Sequence, residues 1–317
     1  MLRIYYKKNT RLAKESDVEI LKEIPIEDMV WIDLQNPTVE EKSTIESYFD
    51  IKYSSEEESQ EIESSSRFSE MDNEIIINSN FLSVKENTFD YYPVSIILEK
   101  GIMFSYRDAD LKTFEEAVKK IKANPTLYIN GYQILSTILE TCIDQDADLI
   151  ENIAKEIAEL NKSLRTTKER VDEDDLLKIS SLQNDNMMLR ENIIDKQRLL
   201  SSLIKSSVFP PKYMSVLKIM IKDISSLLEH NKFAFERLEY LQDTFLGLIN
   251  IDQNRIIKIF TVATVAFMPP TLIASIYGMN FREMPELEWR YGYLIAILLM
   301  ILSSLGTLVY FKKKNWL

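Results

Sequence analysis

The stretch from Ile251 to Leu317 reads IDQNRIIKIFTVATVAFMPPTLIASIYGMNFREMPELEWRYGYLIAILLMILSSLGTLVYFKKKNWL. It contains two long apolar runs, Ile256 to Tyr277 and Tyr291 to Phe311, of 22 and 21 residues. A helix that crosses a bilayer needs roughly 20 residues. Only 13 residues, Gly278 to Arg290, lie between the runs, so the pair predicts a tight transmembrane hairpin. Arg255 and Lys258 mark the start of the first run, and Lys312, Lys313 and Lys314 the end of the second. Basic residues favour the cytoplasmic side. Both termini are therefore expected in the cytoplasm, with the 278–290 loop on the opposite side.

Working outward, charge separates this hairpin from the rest of the chain. Of a net charge of −12 over 317 residues, positions 251–317 carry seven Lys/Arg and four Asp/Glu, net +3, which leaves −15 on residues 1–250. So acidic a region repels phosphate backbones and attracts cations. No basic stripe is present, which argues against nucleic acid as a partner. The N-terminus, MLRIYYKKNT, lacks the apolar core of a signal peptide. The single cysteine, Cys142, has no internal disulfide partner and is compatible with a reducing compartment. The upstream region has no Gly-rich phosphate loop, GxSxG elbow or HExxH zinc site, and nothing in it points to an organic cofactor or to an enzyme.

Residues 1–130 alternate strand-like and helix-like patterns and predict a mixed α/β domain. Val30 to Leu34 reads as a strand; Thr38 and Glu41 form a capping box for a helix running toward Phe49. Residues 54–66, SSEEESQEIESSS, read as a solvated helix and loop. Glu74–Leu82 and Tyr91–Tyr106 read as strands, the latter folded around Glu99-Lys100-Gly101, and Leu111–Lys122 as an amphipathic helix. Residues 131–211 predict the helical part of the same domain; in it, Asp144, Asp146 and Asp148 read as a solvated helix start. From Lys212 onward, a 4-3-4-3 seam of Leu217, Ile221, Ile224, Leu228, Asn231, Phe235, Leu238, Gln242, Phe245, Ile249, Asp252, Ile256 and Ile259 runs without a breaker into the first span. One helix from Lys212 to Tyr277 would be on the order of 100 Å long. Its 212–255 half is expected to be a cytoplasmic stalk and 256–277 the first transmembrane helix. Residues 278–290 form the outer loop, 291–311 the second transmembrane helix and 312–317 a basic cytoplasmic tail. Such a rod could transmit a gating movement or act as a spacer.

The first span has more chemistry than an anchor requires. Pro269 and Pro270 remove two amide donors in mid-span, and freed carbonyls in lipid need partners or a wet lumen. Thr261, Thr264, Thr271 and Ser275 add hydroxyls. The second span carries Ser303, Ser304, Gly306 and Thr307, small residues suited to close helix contact. The first span is therefore expected to line a pore and the second to face lipid. Two spans cannot enclose a pore, so several copies would each contribute one helix. No carboxylate lies between Asp252 and Glu283. Neutral oxygens suit an ion that keeps its waters, as Mg²⁺ tends to.

Tyr277-Gly278-Met279-Asn280-Phe281, followed by Met284-Pro285-Glu286-Leu287, Trp289 and Gly292-Tyr293, resembles the signature of the CorA family of magnesium transport proteins. The tail Tyr310 to Leu317 is similar to that family's basic end. The resemblance implies a funnel-shaped homopentamer of the cell inner membrane, with an α/β cytoplasmic domain, long stalk helices and a two-helix transmembrane hairpin. It implies a selectivity filter at Gly278, Met279 and Asn280, where hydrated Mg²⁺ meets backbone and amide oxygens. It further implies pore or gate positions at Asn254, Ile257, Phe260, Met268, Thr271 and Ser275, and a regulatory metal position at Asp243. Glu283, Glu286 and Glu288 would gather cations at the outer mouth. Phe260 is bulkier than the leucine-like residue frequent in the family, Ser275 stands where some members have glycine, and Pro270 directly follows Pro269.

The expected function is Mg²⁺ influx down its electrochemical gradient, with feedback from cytoplasmic Mg²⁺ at subunit interfaces. Co²⁺ and Ni²⁺ stay open as further cargo. A transporter of Co²⁺, Ni²⁺ or Zn²⁺ is one alternative, and a membrane-anchored coiled-coil scaffold without a pore is another.

Overall fold

The computed structural model describes all residues except 9–10, 54–66, 72, 86–87, 167–172, 280–281, 283, 286–287 and 315–317. The Ser/Glu-rich 54–66 segment thus lies outside the described residues. The chain divides into two compact units, Met1–Leu241 and Gln242–Leu317.

The first unit is built on a seven-stranded sheet. Its strands are β1 (Leu2–Lys8), β2 (Arg11–Glu15), β3 (Met29–Gln35), β4 (Phe68–Met71), β5 (Glu74–Lys85), β6 (Thr88–Glu99) and β7 (Ile102–Arg107), in the order β2-β1-β3-β7-β6-β5-β4. All neighbours are antiparallel except β3 and β7, which are parallel. The run Met29 to Leu34 is buried throughout, because β3 is covered on both faces. On one face Ile4, Ile32, Leu34 and Phe104 pack with Leu21, Ile24 and Ile45. On the other, Tyr5 stacks on Trp31 at 4.7 Å, and Phe114 packs against Trp31 and Phe81. The Trp31 indole donates to Ser105 Oγ (2.9 Å), which donates to Asp33. Asp33 also holds the fully buried Arg107, whose guanidinium lies 4.0 Å from the Phe114 ring centroid.

The local signals act as chain chemistry dictates. Helix α1 (Val39–Phe49) begins on the reciprocal Thr38–Glu41 capping box. The β6–β7 turn places Lys100 and Gly101 at φ 48° and 83°, the left-handed pair that a two-residue hairpin needs. Pro93 is tolerated inside β6 because pairing with β7 begins only at Val94. Helix α2 (Lys112–Ala123) lies four residues beyond β7 and ends at Asn124.

Two long helices follow, α3 (Gly131–Thr166) and α4 (Glu173–Lys205). Asp146 is not the solvated residue that its sequence neighbours suggest. Asp146 is 2% exposed, inside α3, and accepts a 2.6 Å bond from the equally buried Lys196 of α4. Asp144 does lie at the surface, paired with Lys120. Three polar residues spaced by two turn through about 200° each, so they cannot share one environment on a packed helix. Cys142 is buried nearby, and burial pushes its thiol up to about 11.

After a short turn at Pro211–Tyr213, helix α5 runs unbroken from Met214 to Tyr277, 64 residues that pass through Pro269 and Pro270. Burial follows the sequence seam as far as Phe245: Leu217, Ile224, Asn231, Leu238 and Phe245 are buried. Asn231 is there for a reason. Its side-chain amide donates to the Asn186 carbonyl at 2.9 Å, and Asn186 donates back to the Asn231 carbonyl at 3.1 Å. Farther on, Ile256 and Ile259 are exposed, so the buried seam does not extend that far.

Candidate ion-conducting helix

The second unit contains the distal part of α5 and helix α6 (Gly292–Lys313). Both helices are long and apolar enough to cross a membrane. Burial on α5 is confined to one side. Val262 and Ala266 are 4% and 5% exposed, and Val265, Pro269 and Ile273 are half-buried. At about 100° per residue, these positions form one line along the helix. The opposite line holds Ile257 and Phe260, 61% and 69% exposed, together with Thr264, Met268, Thr271 and Ser275, all exposed. No charged side chain falls among them.

The chain folds this way because small or branched residues at 262, 266 and 273 present a smooth flank, while longer and hydroxylic side chains project on the other side. On α6 the buried residue is Ala296; Gly306 is exposed with open space around it. Ser303, Ser304 and Thr307, the small residues noted in the sequence, are half-buried. Ser303 and Thr307 donate to carbonyls of their own helix, Met300 and Ser303. The double proline deprives the Val265 and Ala266 carbonyls of their usual donors, and both residues belong to the covered line.

The threonines of α5 share one geometry. Thr261, Thr264 and Thr271 each donate to the carbonyl four residues back, Ile257, Phe260 and Phe267, at 2.8, 2.9 and 2.8 Å. Each hydroxyl proton is thereby committed, and the oxygen is left as an acceptor. At the end of α5, Gly278 N–H donates to Ala274 O at 3.0 Å and Met279 N–H to Ile276 O at 3.2 Å. A Cβ at 278 would stand 3.2 Å from Ala274 O, a tight contact that glycine avoids. Glu288 N–H donates to Pro285 O in the following loop. Asn280, Glu283 and Glu286 lie outside the described residues.

The match to known proteins covers nearly the whole chain. The family described as CorA-like Mg2+ transporter protein matches residues 27–313. The chain belongs to the CorA-like Mg²⁺ transporter family. A magnesium transport protein CorA of Wolinella succinogenes is 40% identical over 323 residues, covering all of both chains. The protein of the same name from Campylobacter jejuni strain RM1221 is 39% identical over 328 residues, again covering all of both. The complete structure of the CorA magnesium transporter from Methanocaldococcus jannaschii is 20% identical, with a TM-score of 0.82, covering 100% of this chain and 99% of that one. That likeness shows the CorA fold: an α/β domain, a long helix and two apolar C-terminal helices.

Within this CorA-family chain, Asn254 and Asp243 are exposed on α5, Asp243 one helical turn past Glu239. Ile257, Phe260, Met268, Thr271 and Ser275 fall on one face. Thr264, one of the hydroxyls noted on the first span, belongs to that face too, although it is not among the pore or gate positions that the resemblance implies. The signal was available: Thr264 precedes Thr271 by seven residues, the repeat that returns a side chain to nearly the same face.

Proposed function

We propose that this chain is one subunit of a homopentameric Mg²⁺ channel of the bacterial inner membrane, with both termini cytoplasmic. The observation that carries the reading is the uncharged exposed face of α5, which leads to Gly278-Met279-Asn280 in a chain that matches the family over residues 27–313. Residues 1–130 and 131–211 form the cytoplasmic domain, 212–255 the stalk, 256–277 the pore-lining span, 278–290 the outer loop, 291–311 the outer span and 312–317 the tail. Full-length likeness to proteins named for magnesium transport supports Mg²⁺ as the cargo.

No covalent chemistry is involved. The membrane potential supplies about 2.3 kcal/mol per charge per 100 mV, hence roughly twice that for a divalent ion. Glu283, Glu286 and Glu288 concentrate cations at the outer mouth. The Asn280 amide and Gly278 carbonyl accept hydrogen bonds from the ion's waters, and Met279 supports the loop. Mg²⁺ keeps those waters because it dehydrates reluctantly. Met268, Thr271 and Ser275 line the lumen. Ile257 and Phe260 form an apolar constriction that blocks conduction when dewetted, and Asn254 forms a polar ring on its cytoplasmic side. Asp243 binds regulatory Mg²⁺ between subunits.

Purified protein in liposomes, with a Mg²⁺-sensitive dye inside and an inside-negative voltage, tests the reading. Wild type admits Mg²⁺ and Asn280→Ala, assembled normally, does not. Vesicles that stay sealed to Mg²⁺ with the wild-type protein refute it. Competition by Co²⁺, Ni²⁺ and Zn²⁺ in the same assay ranks the other ions.

A further inference from the structure

We propose that Thr264 forms a second ring of hydrogen-bond acceptors in the lumen, a specificity-determining position for hydrated divalent cations between Thr271 and the Ile257 constriction. The inference rests on the pore reading above and extends it to a residue outside the assigned set.

Three observations converge on Thr264. It lies within about 20° of diametrically opposite the line through Val262, Ala266, Pro269 and Ile273, at 100° per residue. Those four are buried or half-buried, and Thr264 is exposed. Next, Ile257, Thr264, Thr271 and Gly278 follow one another at intervals of seven. Each step rises about 10.5 Å and drifts only about 20° around the helix. Whatever axis Thr271 and Gly278 address, Thr264 addresses as well. Finally, the Thr264 hydroxyl donates to Phe260 O at 2.9 Å, as Thr271 donates to Phe267 O at 2.8 Å.

That last contact sets the chemistry. A hydroxyl has one proton to donate and two lone pairs to accept with. With its proton held by the helix, the Thr264 oxygen presents lone pairs alone. Waters bound to a divalent cation point their protons outward, so they need acceptors in the wall. A free hydroxyl could turn its proton toward the ion, and this one does not. Between Asp252 and Glu283 no carboxylate is available for the task. Thr261 is the internal contrast. It makes the same backbone contact at 2.8 Å, but it is half-buried and sits toward the flank.

The test uses the full chain carrying Cys142→Ala, reconstituted as above, with elution volume confirming assembly of each variant. Thr264→Val keeps the branched shape and removes the acceptor; Mg²⁺ entry should fall about tenfold, the scale of one lost hydrogen bond. Thr264→Ser should recover to within about twofold of wild type, because its hydroxyl can make the same contact. Thr261→Val should stay within about twofold, since it loses an equivalent backbone contact off the ring. In parallel, Thr264→Cys should react with a charged, membrane-impermeant thiol reagent and be protected by Mg²⁺, whereas Ala263→Cys, about 100° away on the helix, should not react. Wild-type rates in Thr264→Val, or an unreactive Thr264→Cys, overturn the ring and leave the Asn280-dependent channel standing. Absence of wild-type flux overturns the channel and the ring together.

Discussion

A single carboxylate shows how burial outweighs sequence context. Asp146 sits in a run with Asp144 and Asp148, yet its side chain is 3% exposed against a Lys196 side chain at 2%. Burial raises its carboxyl above the ordinary range, and Lys196 pulls it back. Two charges withdrawn from water must find each other, because either alone would be stranded. Asp146→Ala is expected to cost about 3–5 kcal/mol in denaturant unfolding of the detergent-solubilised protein. The double change Asp146→Leu with Lys196→Met should recover most of that loss, since it removes both charges together. If Asp146→Ala unfolds like wild type, the pair contributes little. The sequence could not have located this pair: the two residues lie 50 positions apart, and only the packing of α3 on α4 joins them.

At the scale of elements, local signals and long-range packing divided the work. The capping box at Thr38, the Lys100-Gly101 turn and the unbroken length of α5 were legible because each depends on neighbours within a few residues. β1 and β2 were not marked individually in the sequence; β2 pairs with β1, and β1 in turn pairs with β3, from Tyr6 opposite Met29 to Leu2 opposite Leu34. Gly131 marks the seam between two such elements. Its N–H donates to Gly101 O at 2.6 Å, and a Cβ there would stand 2.4 Å from Met103 N. The obstruction is backbone, so it cannot rotate away. Gly131→Ala should destabilise the first unit by about 1–3 kcal/mol, as overpacking does. Thermal unfolding reads the shift; an unchanged midpoint would mean that α3 backs away from the β6–β7 turn at no cost. On α5, the pore or gate positions were implied by the family resemblance and Thr264 was noted only as one of several hydroxyls; burial on the opposite line gives the helix an orientation and puts Thr264 on the same face as those positions.

For the whole molecule, the governing fact is the contrast between −15 on residues 1–250 and +3 on the remainder. Copies of so acidic a domain repel one another unless cations lie between them. Internal Mg²⁺ should therefore slow entry into the liposomes in a graded manner, and Asp243→Ala should weaken that dependence while leaving entry at low internal Mg²⁺ intact. Entry that ignores internal Mg²⁺ would remove the feedback and spare conduction.

By itself the sequence determined the two apolar spans, the long helix that feeds the first, the Gly-Met-Asn ending and the charge contrast. All of these are contiguous along the chain and depend on composition or short periodicity. Only the tertiary structure decided which side of α5 is covered, where the charge of Asp146 is answered and why Gly131 must be glycine. The last two are contacts between residues far apart in sequence, the first is a matter of burial, and one chain read in order carries no measure of distance in space.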